Sequence, residues 1–232
     1  MPEDMYTSGV YMDKNPTWHV EESPWKAQQI MRSLDKNHLT PKTICEVGCG
    51  AGEVLKQLEG YMDQECLFWG YEISPQAFEL SRSRANERLR FQLSDIRKEK
   101  DVTFDLILVL DVIEHLEDYF SFLRDIKLKS RYKIFHIPLD LSVQTILRRR
   151  ALLKVRSGYG HLHYFTKEIA IQMLQDSNYK VLDAFYTPRA TELPSHEFVR
   201  NLLRWPRRLL AALNQDLAAR TLGGWSLLVL AE

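Results

Sequence analysis

Thr43-Ile44-Cys45-Glu46-Val47, followed at once by Gly48-Cys49-Gly50-Ala51-Gly52, most narrows what this chain can fold into. A run of strand type meets three glycines at alternate positions, and a helix is expected to start between Gly52 and Leu58. Glycine permits backbone conformations closed to other residues and lets a ligand approach the main chain. In an open parallel sheet such a loop borders the crevice beyond the carboxyl ends of the strands, where ligands bind.

The remaining chain repeats this alternation. Strands are expected at Cys66–Glu72, Leu89–Leu93, Phe104–Leu110, Tyr132–Ile137, Val181–Tyr186 and Trp225–Leu230. Helices are expected from Pro75 to Ala85, from Tyr119 to Leu128, and to Leu174 behind a Thr166 cap, with Glu168 near the capping-box position. The unbroken apolar run 104–110 predicts a strand buried on both faces. Repeated β-then-α units imply an α/β fold with a parallel sheet and helices on both faces. The final two strands lack such a crossover, so an antiparallel closing strand is expected. Residues 1–24 read as an irregular arm with Pro16 and Pro24 as breakers, then a helix from Pro24 or Trp25 to Leu34 capped by Ser23. We divide the chain into an N-terminal arm and helix covering the pocket (1–40) and one catalytic domain (41–232). The domain carries insertions near 139–165 and 195–222. Glu197–Arg220 reads as helical, with a break at Pro206.

Two cofactor classes use a strand–glycine–helix loop. A dinucleotide site requires Gly-x-Gly-x-x-Gly with pyrophosphate at the helix N-terminus. Here the third glycine comes one residue early, and Glu53 stands where the fingerprint has glycine. Its carboxylate would repel pyrophosphate. S-adenosylmethionine carries a sulfonium and an ammonium and no phosphate, so Glu46 and Glu53 beside the loop favour it. Glu72, about twenty residues on, ends the second strand and can accept from both ribose hydroxyls. Asp95 follows the third strand and can accept from an adenine amino group while Ile96 packs on the ring.

With these residues in order, the chain resembles the class I S-adenosylmethionine-dependent methyltransferase superfamily. The matching stretches are 44–53, Gly70-Tyr71-Glu72-Ile73-Ser74, Ser94-Asp95-Ile96 and 104–116. The last, ending Asp111-Val112-Ile113-Glu114-His115-Leu116, is similar to the branch of ubiquinone-biosynthesis O-methyltransferases and related small-molecule enzymes. The resemblance implies a Rossmann-like seven-stranded sheet of order 3-2-1-4-5-7-6 with the last strand antiparallel. It implies that Glu46, Gly48, Cys49, Gly50 and Gly52 hold the cofactor's amino-acid part, Glu72 and Ile73 the ribose, and Asp95 and Ile96 the adenine. Leu110 would lie against the cofactor, and S-adenosylhomocysteine would be the product.

Methyl transfer from a sulfonium needs alignment above all, and a base only when the acceptor must lose a proton. The candidate bases are His115, His161 and His163, the last two in the aromatic segment 157–166. His136 falls within a central strand and reads as a satisfied buried residue. The arm carries Tyr6, Tyr11, Trp18, His19 and Trp25; the resemblance implies that it closes over the pocket, and the alternative is an aromatic staple onto the sheet edge.

Net charge is zero but uneven: residues 1–139 carry 18 Lys/Arg against 23 Asp/Glu, and 140–232 carry 13 against 8. That distribution does not fit a nucleic-acid binder. The cluster Arg148-Arg149-Arg150 with Lys154 and Arg156 reads either as a partner for an anionic group on a small-molecule substrate or as a solvated charge run. Arg200, Arg204, Arg207 and Arg208, interleaved with Leu202, Leu203, Trp205, Leu209 and Leu210, form an amphipathic stretch suited to a lid or to a membrane surface. Three cysteines at unpaired spacings, an acidic start and no long apolar run lead us to expect a cytoplasmic enzyme without metal. The absence of an Asn/Asp-Pro-Pro-Tyr/Phe stretch after the fourth strand favours oxygen over a planar amine. Other readings are a non-catalytic subunit that keeps the cofactor site and a nicotinamide-dependent oxidoreductase, the latter disfavoured by Glu53.

Overall fold

A computed structural model describes residues 2–193, 201–202 and 204–232. Seven strands form one sheet in the order β3-β2-β1-β4-β5-β7-β6. They are β1 (Thr43–Val47), β2 (Leu67–Glu72), β3 (Leu89–Leu93), β4 (Phe104–Leu110), β5 (Ser130–Pro138), β6 (Val181–Thr187) and β7 (Ser226–Ala231). β1 pairs in parallel with β2 and β4, and β4 with β5. β7 runs antiparallel between β5 and β6. This is the α/β sheet expected from the alternation, in the Rossmann-like order that the resemblance implied.

Two apolar cores lie on the two faces. One joins Ile107, Val109, Phe135 and Val229 with Phe122, Leu123 and Leu174, and the other joins Leu106, Leu108, Ile134 and Leu228 with Ile30, Leu34, Leu55 and Leu58. Consecutive β4 residues Leu106, Ile107, Leu108 and Val109 are all fully buried, which explains the unbroken apolar run. Each such side chain contributes roughly 1.5–3 kcal/mol of burial.

The arm is more regular than its sequence suggests. It forms α1 (Pro2–Thr7), α2 (Val10–Lys14) and a 3-10 turn at Val20–Glu22 before α3 (Ser23–Lys36). Helices this short leave no readable periodicity and are held by tertiary contacts. Ser23 is the first residue of α3 and not its cap; Glu22 occupies the cap position, and its carboxylate is taken by Arg189. Downstream come α4 (Glu53–Tyr61), α5 (Pro75–Arg82) and α6 (Tyr119–Lys127). Segment 139–165 contributes two short helices, α7 (Val143–Leu147) and α8 (Ala151–Tyr159). Thr166 caps α9 (Lys167–Asp176) through the Ile169 amide, while Glu168 pairs with Arg220 instead of closing a capping box.

A short helix α10 (Arg189–Glu192) follows β6, and α11 (Arg204–Leu213) and α12 (Gln215–Leu222) precede β7. Pro206 lies within α11 and does not interrupt it; the break comes at Asn214, which caps α12. Arg207 is buried and donates to the carbonyls of Leu222 and Gly223, whereas Trp205, Leu209 and Leu213 face outward. Arg200 and Leu203 lie outside the described residues. Among the described residues no helix is long and apolar enough to cross a membrane.

Candidate functional site

The carboxyl ends of β1 to β5 open into a cavity of about 350 Å³, roofed by Tyr6, Tyr11, Trp18 and His19 of the arm. Its floor is the glycine loop. The amides of Gly48 and Cys49 both donate to the Tyr71 carbonyl at 2.8 and 3.1 Å, which locks the loop onto β2. Gly52 has φ +76°, and a β-carbon there would stand 2.4 Å from the Phe91 ring. No other residue type fits that position without moving Phe91.

Glu72, at the end of β2, accepts from the amides of Gly50, Ile73 and Ser74 at 2.8, 2.9 and 2.8 Å. Burial pushes its carboxyl up, and these three donors pull it back. A carboxylate has about four acceptor positions, so Glu72 can also take ribose hydroxyls. Asp95 accepts from the Arg97 amide and pairs with its guanidinium at 2.6 Å, and these contacts outweigh burial to hold its carboxyl below the usual range. Ile73, Ile96, Leu110 and Cys49 also line the cavity.

Glu46 is 3% exposed, faces the cavity from β1, and its Oε2 has no hydrogen-bond partner. Burial raises its carboxyl to about 8; Lys26 opposes the shift, and Glu72 and Asp111 reinforce it. An orphaned buried oxygen is costly in a folded protein. A ligand cation placed against it would remove that cost, so this floor fits an ammonium-bearing cofactor.

Beyond Leu110 the chain turns at Asp111, whose φ of +54° is strained for a non-glycine residue. Its carboxylate receives Lys26 Nζ at 2.7 Å and His136 Nδ1 at 2.6 Å. Burial opposes ionisation, yet His136 and Lys26 hold the carboxyl well below its ordinary value. His136 Nε2 reaches Thr187 Oγ1 at 2.9 Å, so both ring nitrogens of this buried residue are engaged. Arg189 makes a two-pronged pair with Glu22. None of Lys26, Asp111, Glu22 or Arg189 stood out in the sequence. Their partners lie far along the chain, up to 167 positions away, so no local pattern marks them.

The three candidate histidines separate. His115 and His161 line the cavity with their rings 4.8 Å apart, edge to face. His115 Nδ1 meets the Tyr6 hydroxyl at 2.8 Å, and His161 Nδ1 meets Asp140 at 2.6 Å. Burial, reinforced by His161, lowers His115 to about 3, so its ring is neutral. His163 lies away from the cavity. Its Nε2 bonds the Leu116 carbonyl at 2.9 Å and its ring stacks on Tyr119, which makes it a strut for the segment. Arg148, Arg149, Arg150, Lys154 and Arg156 are exposed and contribute nothing to the cavity wall, whereas Val155 and Tyr159 of the same segment do.

Comparisons with known proteins agree with this fold. Magnesium protoporphyrin IX methyltransferase from Synechocystis PCC 6803, solved with bound S-adenosylhomocysteine, shares the fold with a TM-score of 0.64 at 14% identity, over 99% of this chain and 96% of that one. N-methyltransferase NodS from Bradyrhizobium japonicum WM9 aligns with a TM-score of 0.56 at 16% identity, over 89% of this chain and 84% of that one. In sequence, norajmaline N-methyltransferase from Rauvolfia serpentina is 29% identical over 107 residues, a stretch that covers 43% of this chain and only 36% of that relative. A family model described as "Methyltransferase domain" matches residues 21–184, from the end of the arm into β6, and the chain belongs to that family.

Proposed function

We propose that the protein transfers a methyl group from S-adenosylmethionine to a hydroxyl oxygen of a neutral small molecule, a sugar or phenol in free or lipid-linked form. The unpartnered Oε2 of Glu46 carries the cofactor half of this reading. When bound, S-adenosylmethionine supplies an already activated methyl on sulfur. The glycine loop and Glu46 hold its amino-acid end, Glu72 the ribose, and Asp95 with Ile96 the adenine. The acceptor lies under the arm, where Tyr6, Tyr11, Trp18, His19 and Tyr159 offer ring faces. The cavity's cations support a neutral acceptor: Lys26, Arg189 and Arg97 are each paired with an acid of this chain. The exposed Arg148–Arg150 run does not reach it. An oxygen acceptor sheds a proton on methylation, and His115 and His161 stand at this end to assist. The likeness of 111–116 to ubiquinone-biosynthesis O-methyltransferases supports oxygen over nitrogen.

Calorimetry with S-adenosylhomocysteine tests the cofactor half. At pH 7 the free Glu46 carboxyl, raised to about 8, is mostly protonated. A ligand ammonium favours the carboxylate, so binding releases close to one proton, read from the heat in buffers of different ionisation enthalpy. In Glu46→Gln that release disappears and affinity falls by about tenfold or more. Absence of binding to the unaltered chain rejects the cofactor assignment. Labelled methyl transfer to panels of neutral glycosides, phenols and amines tests the acceptor half, and label recovered on nitrogen overturns the oxygen assignment.

A further inference from the structure

The acceptor end of the cavity holds a carboxyl group that bonds no other residue. Glu114, in the 3-10 turn after β4, is 0% exposed, and neither carboxylate oxygen has a hydrogen-bond partner from another residue. Its backbone is fixed, because its carbonyl receives the amides of both Leu162 and His163. That clamp brings the 157–166 segment, and with it His161, against the turn that carries Glu114 and His115. One ligand atom from each of Glu114, His115 and His161 falls within 4.8 Å of the other two. A buried, unpaired carboxylate costs several kcal/mol unless it takes up a proton or a cation.

The two imidazoles are presented as ligands. Each has its Nδ1 engaged, His115 by the Tyr6 hydroxyl at 2.8 Å and His161 by Asp140 at 2.6 Å. This leaves Nε2 of His161 for a third party; the His115 ring also meets the Gly160 backbone, and its Nε2 stands 3.8 Å from Glu114 Oε1 without a hydrogen bond between them. A carboxylate behind the outer nitrogen of a metal-binding histidine is the usual device for fixing its orientation. Ligand bonds of about 2.0–2.2 Å require the three atoms to close by about 1 Å, within reach of side-chain rotation. Asp111 is excluded from the set, since Lys26 and His136 occupy its two oxygens.

We propose that Glu114, His115 and His161 form a binding site for one divalent transition-metal ion, with positions left open toward the acceptor. Two imidazoles and one carboxylate suit Mn²⁺, Fe²⁺, Co²⁺ or Zn²⁺ over Mg²⁺ or Ca²⁺, which take oxygen sets. Its role rests on the methyl-transfer reading above. A hydroxyl coordinated by the ion is acidified and gives its proton to solvent water. The oxygen–carbon bond then forms as the carbon–sulfur bond breaks, and that electron pair stays on sulfur.

The untagged chain, stripped with EDTA and dialysed, is titrated with Mn²⁺ while free Mn²⁺ is followed by electron paramagnetic resonance. Zn²⁺ competition follows, and S-adenosylhomocysteine binding is measured on the same samples. One Mn²⁺ per chain is expected, displaced by Zn²⁺. Glu114→Gln and His161→Ala should each weaken Mn²⁺ binding at least tenfold, with S-adenosylhomocysteine affinity within about threefold of the unaltered chain. At 100 times its dissociation constant, Mn²⁺ should raise the melting temperature of the unaltered chain by about 5–10 °C. Glu114→Gln should show no such rise, and in EDTA should melt close to the unaltered chain, because the carboxyl it replaces bonds no other residue. Two results overturn the site: a chain that binds S-adenosylhomocysteine yet retains neither Mn²⁺ nor Zn²⁺, or Mn²⁺ binding undiminished in Glu114→Gln. Mn²⁺ binding lost in Glu114→Gln, in a chain that ignores S-adenosylhomocysteine, upholds the site and removes the methyl-donor reading instead.

Discussion

Gly50→Arg is expected to weaken S-adenosylhomocysteine binding at least about 100-fold, or about 2.7 kcal/mol, while the chain still folds. The backbone at Gly50 has φ +54°, and a β-carbon built there meets only Trp18, at 3.6 Å. The substituent therefore fits at its root, and its cost to the fold is the left-handed strain of about 1–2 kcal/mol. That corresponds to a melting temperature lower by about 2–8 °C. The remainder of the arginine runs into the cavity, where its guanidinium finds Glu46 and Glu72. It thus fills the volume of the cofactor's amino-acid end and neutralises the acids that attract it. Gly50→Ala separates the two effects, because it carries the strain without the bulk and should retain affinity within about tenfold. Calorimetry with both variants, alongside thermal melting, checks the claim. A Gly50→Arg chain that binds within tenfold of the unaltered one removes the glycine loop from the cofactor site.

The parts of this molecule that were legible in sequence are those whose physics is local. Residues 104–110 could be read because a strand buried on both faces has no room for polar residues, and β4 buries Leu106 to Val109 completely. The glycine loop could be read because positive φ at Gly48, Gly50 and Gly52 restricts the residue type. Ser74, which caps α5, and Thr166, which caps α9, sit at helix starts that Pro75 and the apolar spacing announce. The parts that stayed hidden depend on distant partners. Tyr6 becomes part of the cavity because its hydroxyl oxygen meets Nδ1 of His115, 109 positions away, and donates its proton to the Tyr159 carbonyl. The chain Lys26–Asp111–His136–Thr187 gathers four elements into one network, and no spacing rule links those positions. Charge clusters are conspicuous for the opposite reason. Arg148–Arg150 stands out in sequence because solvated charges cost nothing to place side by side, and for the same reason it lies outside the cavity. His161 and His163 alternate along the chain, but Glu114 bonds both neighbouring amides and turns one ring to the cavity and the other to Tyr119.

Glu72→Ala should produce the largest loss of stability among the cofactor-site variants, together with a loss of S-adenosylhomocysteine affinity of about 30-fold or more. Glu72 is 5% exposed, and its carboxylate is the only partner shown for the amides of Gly50, Ile73 and Ser74. A buried donor left unpaired costs about 1–3 kcal/mol. The cavity admits water to the Gly50 side, so the lower end applies there, and the three together come to about 3 kcal/mol. For a chain of this size that lowers the melting temperature by about 6–12 °C. Glu72→Gln sharpens the argument, because its shape is conserved and its donor count is not. Oε1 accepts from two amides and Oε2 from one. Either orientation of a glutamine amide therefore turns its NH2 group toward a backbone N–H. The orientation that keeps the Ile73 and Ser74 bonds sets that NH2 against Gly50 and pushes the glycine loop away from β2. Glu72→Gln should thus melt above Glu72→Ala yet bind S-adenosylhomocysteine nearly as poorly, since the loop itself is displaced. If Glu72→Gln instead matched the unaltered chain in affinity, Glu72 would be a strut for the turn and the ribose would have to be held elsewhere in the cavity.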